Sequence, residues 1–439
     1  MKSFRYLSPF IFLTLFLFRS PESGAQSFPV DTLRVMTYNV LNYGYPYSAS
    51  CPAQITSSKS QYLQRIIGYC QPDLLGLVKV YAYPNSFATD SIREQVLDSV
   101  SLHSYAAIPV TQQSGYYKVN VLYYKTSKLG YLGTYAVYHG DTAISDINLH
   151  RLYYKSPDLN TSHDTIFLNV MQAHLLSGGS NDSIRGAEMS GVYNWLNQHA
   201  GSPQNILFMG DLNTKSSSES CYAQLTTAPN LNVRFFDPAN QPGNWNAQPG
   251  NFSMVLTQST RTNDPGDCGS VGGLDSRFDH ILCTSPLIFG EMGLQYLSST
   301  YRVIGQDGQH VNAALTDPPA NTSVPFDVLL DLYYMSNHLP VMIQLQVNSS
   351  TGTGAALSPF RLQFNSLAGE SLNVTTACPC PPGSSLEIYT LSGTRLYNQE
   401  TAGKLAWQVP LGGWPEGMYI LFLKEKNKPL FAGKFCHIH

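Results

Sequence analysis

The spacing of apolar residues changes along this chain, and each change marks an element. Ile206–Met209 is a continuous apolar run with no alternation, the pattern of a strand buried on both faces. Gly210 closes it, and Asp211 and Asn213 follow where the strand meets a loop. Leu33–Asn39, Leu74–Val80, Val119–Tyr124, Leu129–Tyr138, Thr165–His174, Phe278–Cys283 and Val341–Val347 also read as strands. Helical spacing occurs in three places. Ser57–Cys70 carries Tyr62, Leu63, Ile66 and Ile67 on one stripe, with Ser58 or Ser60 as its cap. Asp90–Val100 has Ile92, Val96, Leu97 and Val100 on one face, and Ser91 and Glu94 are spaced as a capping box. Ser183–Gln198 turns Ile184, Ala187, Val192, Trp195 and Leu196 inward.

Strands and helices interleave up to about residue 348, which predicts an α/β domain over 29–348. Within it, Thr214–Gly273 is rich in Asn, Pro and Gly and reads as a long loop, whose Phe235, Phe236, Trp245 and Phe252 could stack on a base and read rather as packing the loop. Ser349–Gly354 opens a flexible linker, taken as 349–360. Beyond it, Ser385–Leu391 alternates like a strand, Ser392 and Gly393 turn, and Met418–Leu423 is a second strand, so 361–439 reads as a small all-β domain.

Composition narrows the function. Charged residues make up 13% of the chain and the formal net charge is −3, so there is no electrostatic footprint for non-specific nucleic-acid binding. Lys2 and Arg5 precede an apolar stretch from Phe10 to Phe18, and Ser23, Gly24 and Ala25 offer a cleavage site: residues 1–25 read as a signal peptide. No other segment has the length and apolarity of a membrane-spanning helix. The chain has eight cysteines, an even number that permits disulfides in an exported protein. Cys51 with Cys70 and Cys268 with Cys283 are the simplest local pairs. Cys378, Cys380, Cys436, His437 and His439 supply ligand types for zinc, in a spacing that matches no common pattern.

The candidate chemistry begins at Asp211 and Asn213. A carboxylate can accept a proton or hold a metal, and an amide can orient a water or a phosphate oxygen. On an extended backbone the two would point the same way. The bland reading is an Asx turn that ends the strand.

Eight short blocks in order then bring in a family. They are T-Y-N ending at Asn39, P-D-L-L-G-L-x-x-V at Pro72–Val80, N-V-L-Y-Y-K at Asn120–Lys125 and A-H-L-L-S-G-G at Ala173–Gly179. R-x-x-E at Arg185–Glu188, G-D-L-N at Gly210–Asn213, F-D-H-I-L at Phe278–Leu282 and S-N-H-L-P-V at Ser336–Val341 follow. The chain resembles the endonuclease/exonuclease/phosphatase family, the deoxyribonuclease I-like proteins, over about residues 30–347. The resemblance implies a four-layer sandwich of two mixed β-sheets flanked by helices. It implies hydrolysis of phosphate esters by in-line attack of water, with Mg2+ or Mn2+ stabilising charge on phosphorus. By that resemblance Asp211 activates the water, Asn213 orients it, Asp279 pairs with His338, and His174 protonates the leaving group. Asn39 would lie in the metal and phosphate shell, and Asn120 and Arg185 would contact substrate.

Two positions depart from the family. Where its members carry the glutamate that is the principal metal ligand, this chain has Lys79, and where they carry a second metal-contacting aspartate it has Asn337. Leu41 stands where one branch has a further acid. An ammonium offers a metal no lone pair, so Lys79 should repel a dication and pair with Asp211 or Asp279. It could instead point to solvent, or act as a fixed positive charge in the metal's place. Two functions are therefore open: a secreted phosphoesterase of reduced activity, or an inactive surface or secreted binding module on the same scaffold. The tail resembles a type IX secretion C-terminal sorting domain, through Leu386–Leu396 and Trp414–Leu421. With the signal peptide, this implies the type IX machinery as a partner and a place outside, or on the surface of, a Gram-negative cell.

Overall fold

The computed structural model describes residues 31–438 except 47, 83–85, 112–115, 141–143, 158, 160–164, 200–203, 231, 349–361, 366, 377–378, 391–393, 402 and 426–427. The expected signal peptide, the linker, the Ser392–Gly393 turn, and Cys378 and His439 of the zinc candidate lie outside the described residues.

Thirteen strands precede the linker: β1 Thr32–Tyr43, β2 Leu74–Tyr81, β3 Tyr105–Ala107, β4 Lys118–Lys125, β5 Leu129–Tyr138, β6 Ile147–Tyr154, β7 Phe167–His174, β8 Ile206–Asp211, β9 Phe235–Phe236, β10 Asp279–Thr284, β11 Leu294–Tyr296, β12 Arg302–Val303 and β13 Val341–Val347. One sheet runs β11-β13-β1-β2-β4-β3, with β12 also paired to β13, and the second runs β5-β6-β7-β8-β10-β9. Both are mixed. β1 lies parallel to β2 and β7 parallel to β8, while β13, β4 and β10 pair antiparallel with their neighbours.

The two sheets share one core. Val35, Leu74 and Leu122 of the first, on the same face as Gly76, pack into the same cluster as Leu168, Val170, Leu207 and Met209 of the second. At the centre the approach is so close that a Cβ on Gly76 would stand 2.5 Å from the Met209 methyl and 2.6 Å from the Gln172 amide. The reverse face of the second sheet packs a second cluster, in which Phe208 and Ile206 meet Met189, Val192 and Leu196 of the helix Asp182–His199. The apolar run of β8 is thus explained: Leu207 and Met209 face one core and Ile206 and Phe208 the other. On the far side of the first sheet, where Leu75 and Leu77 of β2 point, the helix Thr56–Cys70 packs Leu63, Ile66 and Ile67 beside the helix Phe326–Met335. The layers are helix, sheet, sheet, helix, as the pattern and the resemblance lead one to expect.

Local details differ. The helix Thr56–Cys70 has Ile55 at its N-cap with no side-chain cap, and Ser60 Oγ donates to Thr56 O from inside the helix. Ser91 and Glu94 form no capping box, because the chain is helical from Phe87 onward and passes through a π turn at Ile92–Leu97. In Asp182–His199, Ala187 faces solvent and the buried stripe is Arg185, Glu188, Met189, Val192 and Leu196. Periodicity missed this stripe because two of its members are charged. The strand β6 and the helix Phe326–Met335 were also unforeseen. The long loop contains a helix, Ser220–Thr226, and Trp245 and Phe235 are buried against it, as packing residues.

The disulfide joins Cys51 to Cys268, a separation of 217 residues, and neither local pair forms. Cys70 is buried at a helix end and Cys283 within β10. Cys51 and Cys268 sit on two loops already held together, by Ala53 N–H to Gly266 O at 2.9 Å and Gln54 Nε2 to Asp267 O at 2.7 Å.

The tail forms a three-stranded and a five-stranded sheet around a separate cluster that includes Leu372, Val374, Ile388, Trp407, Leu421 and Phe435. The two sequence-read strands are present as Ser384–Thr390 and Gly417–Glu425. Among the described residues, no helix is long and apolar enough to cross a membrane.

Candidate functional site

The site is assembled from strand ends. β8 ends at Asp211, which stands in register with His174 at the end of β7 and with Asp279 at the start of β10. Gly210 makes the first of these approaches possible: a Cβ there would lie 2.0 Å from Ala173 O, and its φ is 134°. Asn39 of β1 comes from the other sheet, as do Lys79 of β2 and, just before β13, Asn337 and His338.

Asn39 Nδ2 donates to Asp211 Oδ2 at 2.8 Å, and Asn39 Oδ1 accepts from Leu41 N–H at 3.0 Å. His338 Nδ1 donates to Asp279 Oδ2 at 2.7 Å, and Gln258 Nε2 donates to His338 Nε2 at 2.7 Å. This network assigns the tautomer of His338: its Nδ1 carries the proton. His338 Nε2 lies 3.8 Å and His174 Nε2 3.9 Å from Asp211 Oδ2, too far for direct hydrogen bonds and near enough to share a small ligand. Asp211, Asp279, His174 and His338 are all buried.

Asp211 and Asn213 do not share an extended backbone. Asn213 has φ 49°, and its N–H donates to Asp211 Oδ1 at 2.9 Å, so the Asx turn is present. Asn213 Nδ2 is committed to Leu175 O at 2.9 Å. The turn and the site coexist, since both residues still line one pocket of about 500 Å³.

That pocket also takes in Lys79, Lys118, Lys215, His174, Asn337 and His338. Lys79 occupies a bulge: β1 pairs Asn39 with Val78 and then Tyr43 with Val80, and β4 skips the same position. Its φ of 64° is costly for a residue with a side chain, of order 1–3 kcal/mol, and such strain persists where the surroundings impose it. The expected ion pair is absent. Among the described residues no carboxylate lies within 4.0 Å of Lys79 Nζ, nor is Lys79 a solvent-directed strand residue, since it lines the pocket between the fully buried Val78 and Val80. Its charge acts through space. Burial pushes Asp211 up, and Asp279 adds to this, while His338 and Lys79 oppose it. Burial and then Lys79 hold His174 well below the ordinary imidazole range, so it stands neutral. Burial, and Lys118 beside it, lower Lys79 itself.

Asn120 and Arg185 lie outside the pocket lining. Asn120 Nδ2 is shared among Ser145 Oγ, Asp146 O and Gln172 O at 3.1–3.3 Å. Arg185 is fully buried, holding Leu176 O and Gly178 O at 3.0 and 2.9 Å and Glu219 at 2.7 Å. It positions the Leu176–Gly179 loop, which does line the pocket. Sequence reading missed Gln258, Lys118, Lys215 and the tyrosines 81, 116 and 117. Lys215 stands only two residues beyond Asn213, a usable signal, whereas Gln258 arrives on a long loop that carries none.

The donors can be tested against a divalent ion. Asp211, Asp279 and His338 each place a ligand atom within 4.8 Å of the others, so three donors are close together. Asp279 Oδ2 and His338 Nδ1 are spent on each other, Asp211 Oδ2 is taken by Asn39, and Asn39 Oδ1 by a backbone N–H. An ammonium, Lys79, faces the same space, and Asn337 supplies a neutral oxygen, buried and without a partner among the described residues. Magnesium and manganese favour several hard oxygens in near-octahedral array. The residues present do not fit that demand on the side of the pocket where Lys79 and Asn337 stand.

No family model matches the chain and no curated protein matches it. Among solved structures, it is similar to an endonuclease/exonuclease/phosphatase family protein from Bacteroides thetaiotaomicron, at 14% identity over 75% of this chain and 99% of that one, with a TM-score of 0.44. It is also similar to a humanized D. rerio TDP2, at 15% identity over 72% and 98%, TM-score 0.43. The human Nocturnin catalytic domain with bound sulfate anion gives 12% identity over 72% and 93%, TM-score 0.42. At these identities no residue role passes from them to this chain.

Proposed function

We propose that the pocket is a phosphate-ester site of the endonuclease/exonuclease/phosphatase type whose turnover is reduced or lost. The carrying observation is the juxtaposition of Asp211 with the Asp279–His338 pair on the floor of a pocket lined by three lysines. Asp211 is the group to take a proton from an attacking water, since its carboxylate faces the pocket and Asn39 and the Asn213 N–H hold it in place. His174, held neutral, can offer a departing oxygen an N–H hydrogen bond but not the proton expected of it from the sequence. In the family's reaction a divalent ion would stabilise charge on phosphorus, and Lys79 and Asn337 stand where its carboxylates would be. Most of that contribution is therefore missing.

The replacement of those carboxylates also favours the second reading, a binding module that retains the pocket without turnover. Hydrolysis of a generic phosphomonoester and phosphodiester, with and without Mg2+ or Mn2+, separates the two. The parent is expected to be slow, and Lys79→Glu with Asn337→Asp to be faster only when metal is added. Turnover unchanged in Asp211→Asn would remove the assigned role of that carboxylate.

We further propose export through the signal peptide and delivery by the type IX machinery through the tail, to the medium or the cell surface of a Gram-negative bacterium. The resemblance of Leu386–Leu396 and Trp414–Leu421 supports this reading. Deleting 361–439 should trap the chain inside the cell envelope, as read by fractionation. Unchanged delivery of the truncated chain would refute it.

A further inference from the structure

The three lysines of the pocket are unusual in having nothing to pair with. Among the described residues, none of Lys79, Lys118 and Lys215 forms an ion pair, although other lysines of the fold do: Lys125 and Lys128 both reach Asp73. The carboxylate that lines the pocket with them is Asp211. Asp267 and Asp279 also act on Lys79 from farther off, but three lysines and one carboxylate line the pocket itself, a setting that suits a doubly charged ligand better than a singly charged one. His174 is 5% exposed, and its Nδ1 meets no partner among the described residues. A Cβ on Gly179 would stand 3.0 Å from the Lys215 ammonium, so this lysine lies against the loop that Arg185 holds.

Tyrosines line the same pocket. Tyr81 and Tyr117 stack at 5.5 Å between ring centroids with 21° between planes, and Tyr45 meets Tyr81 edge-on at 5.0 Å. Tyr117 is 56% exposed, a large amphipathic ring left open beside a cationic pocket. A pocket of about 500 Å³ takes a small ligand, and the lysines and exposed tyrosine ring that line it suit a ligand with an anionic group and a flat ring.

We propose that Lys79 takes the place of the divalent ion, and that the pocket binds, without metal, a phosphate monoester whose alcohol carries a flat ring. The inference rests on the phosphate-ester reading above. The doubly charged phosphate lies among Lys79, Lys118 and Lys215, with His174 donating to it, and the ring lies on Tyr117. A fixed ammonium makes charge-assisted hydrogen bonds to phosphate oxygens and needs no recruitment from solution. A diester, with its single charge and second substituent, leaves the lysines undercompensated.

Calorimetric titration of the full mature chain with phenyl phosphate and with inorganic phosphate, in EDTA and in Mg2+, tests this. Both probes should bind in EDTA, and Mg2+ should not tighten them. Lys79→Asn, chosen because asparagine accepts a left-handed backbone, should weaken both by about tenfold or more. Lys118→Gln, within a regular strand, should weaken both as well and serves if the first variant does not fold. Tyr117→Ala should weaken phenyl phosphate and leave inorganic phosphate unchanged. Binding that requires Mg2+ overturns the inference and leaves the phosphate-ester reading standing. Absence of binding in either condition overturns both. Folded lysine variants with unchanged affinity overturn the role of the ammonium groups, and equal loss of both probes in Tyr117→Ala overturns the ring assignment.

Discussion

Asn39 Nδ2 donates to Asp211 Oδ2 at 2.8 Å, a hydrogen bond that ties the end of a strand in one sheet to the end of a strand in the other. Asn39→Leu should leave a buried carboxylate oxygen without its donor. A loss of ~1–3 kcal/mol in urea unfolding is expected, with weaker ligand binding at the site. Unchanged values for both would show that the tether contributes nothing.

Gly210 offers a sharper steric test. Gly210→Ala puts a methyl 2.0 Å from Ala173 O on a backbone with φ 134°. Neither backbone can yield without breaking the β7–β8 pairing, so a loss of ~3 kcal/mol or more, or failure to fold, is expected. Gly133→Ala is the control, since nothing lies within 4 Å of its added Cβ. Thermal melts of the two should differ widely.

Lys59 is fully buried, and its ammonium reaches the carbonyls of Val40, Leu41 and Met335 at 3.4, 3.0 and 2.7 Å. It holds the bulge at Leu41–Asn42, where both residues have positive φ, against the end of the helix Phe326–Met335. Lys59→Met keeps the stem and removes the donors, leaving buried carbonyls unpaired. The expected cost is ~2–4 kcal/mol by chemical denaturation.

Glu188 predicts a pH dependence. Burial raises its carboxyl to about 7, opposed by Arg185. The folded state therefore binds this proton more tightly than the unfolded one. The contribution is fully present below the ordinary carboxylate value, and it is lost as pH rises through about 7. Glu188→Gln should melt above the parent at pH 8 and close to it near pH 4, and it should flatten the decline between them. Parallel melting curves across that range would contradict the assignment.

The disulfide can be checked directly. Peptide mapping without reduction should recover Cys51 joined to Cys268, and Cys70 and Cys283 should resist alkylation in the folded chain. Replacing both bridging cysteines by serine should cost ~2–5 kcal/mol, since the bridge closes a long loop.

Much of this architecture was legible because burial on two faces leaves a continuous apolar run, as in Ile206–Met209, and burial on one face leaves alternation, as in Ile343–Val347. The candidate residues Asp211, Asp279 and His338 were legible through short ordered motifs, and they do meet. Elsewhere tertiary contacts overrode the pattern. Arg185 and Glu188 are charged yet face inward, because backbone carbonyls and Glu219 satisfy the arginine, so a stripe counted on apolar residues picked Ala187 instead. Asn120 and Arg185 are buried in structural hydrogen bonds, which no motif distinguishes from ligand contacts. The pairing of Cys51 with Cys268 depends on two loops brought together by the fold, which sequence distance conceals. Gln258 and the pocket tyrosines arrive from segments with no periodic signal of their own.

The split of the site between two sheets has a consequence for how such a protein can change. Lys79 and Asn337 belong to β2 and the approach to β13 in one sheet, whereas His174, Asp211 and Asp279 sit on β7, β8 and β10 of the other. One wall can therefore be rewritten without touching the strands that carry the other. The sandwich behaves as two half-moulds, and the hydrogen bonds of Asn39 to Asp211 and of His338 to Asp279 key one half to the other.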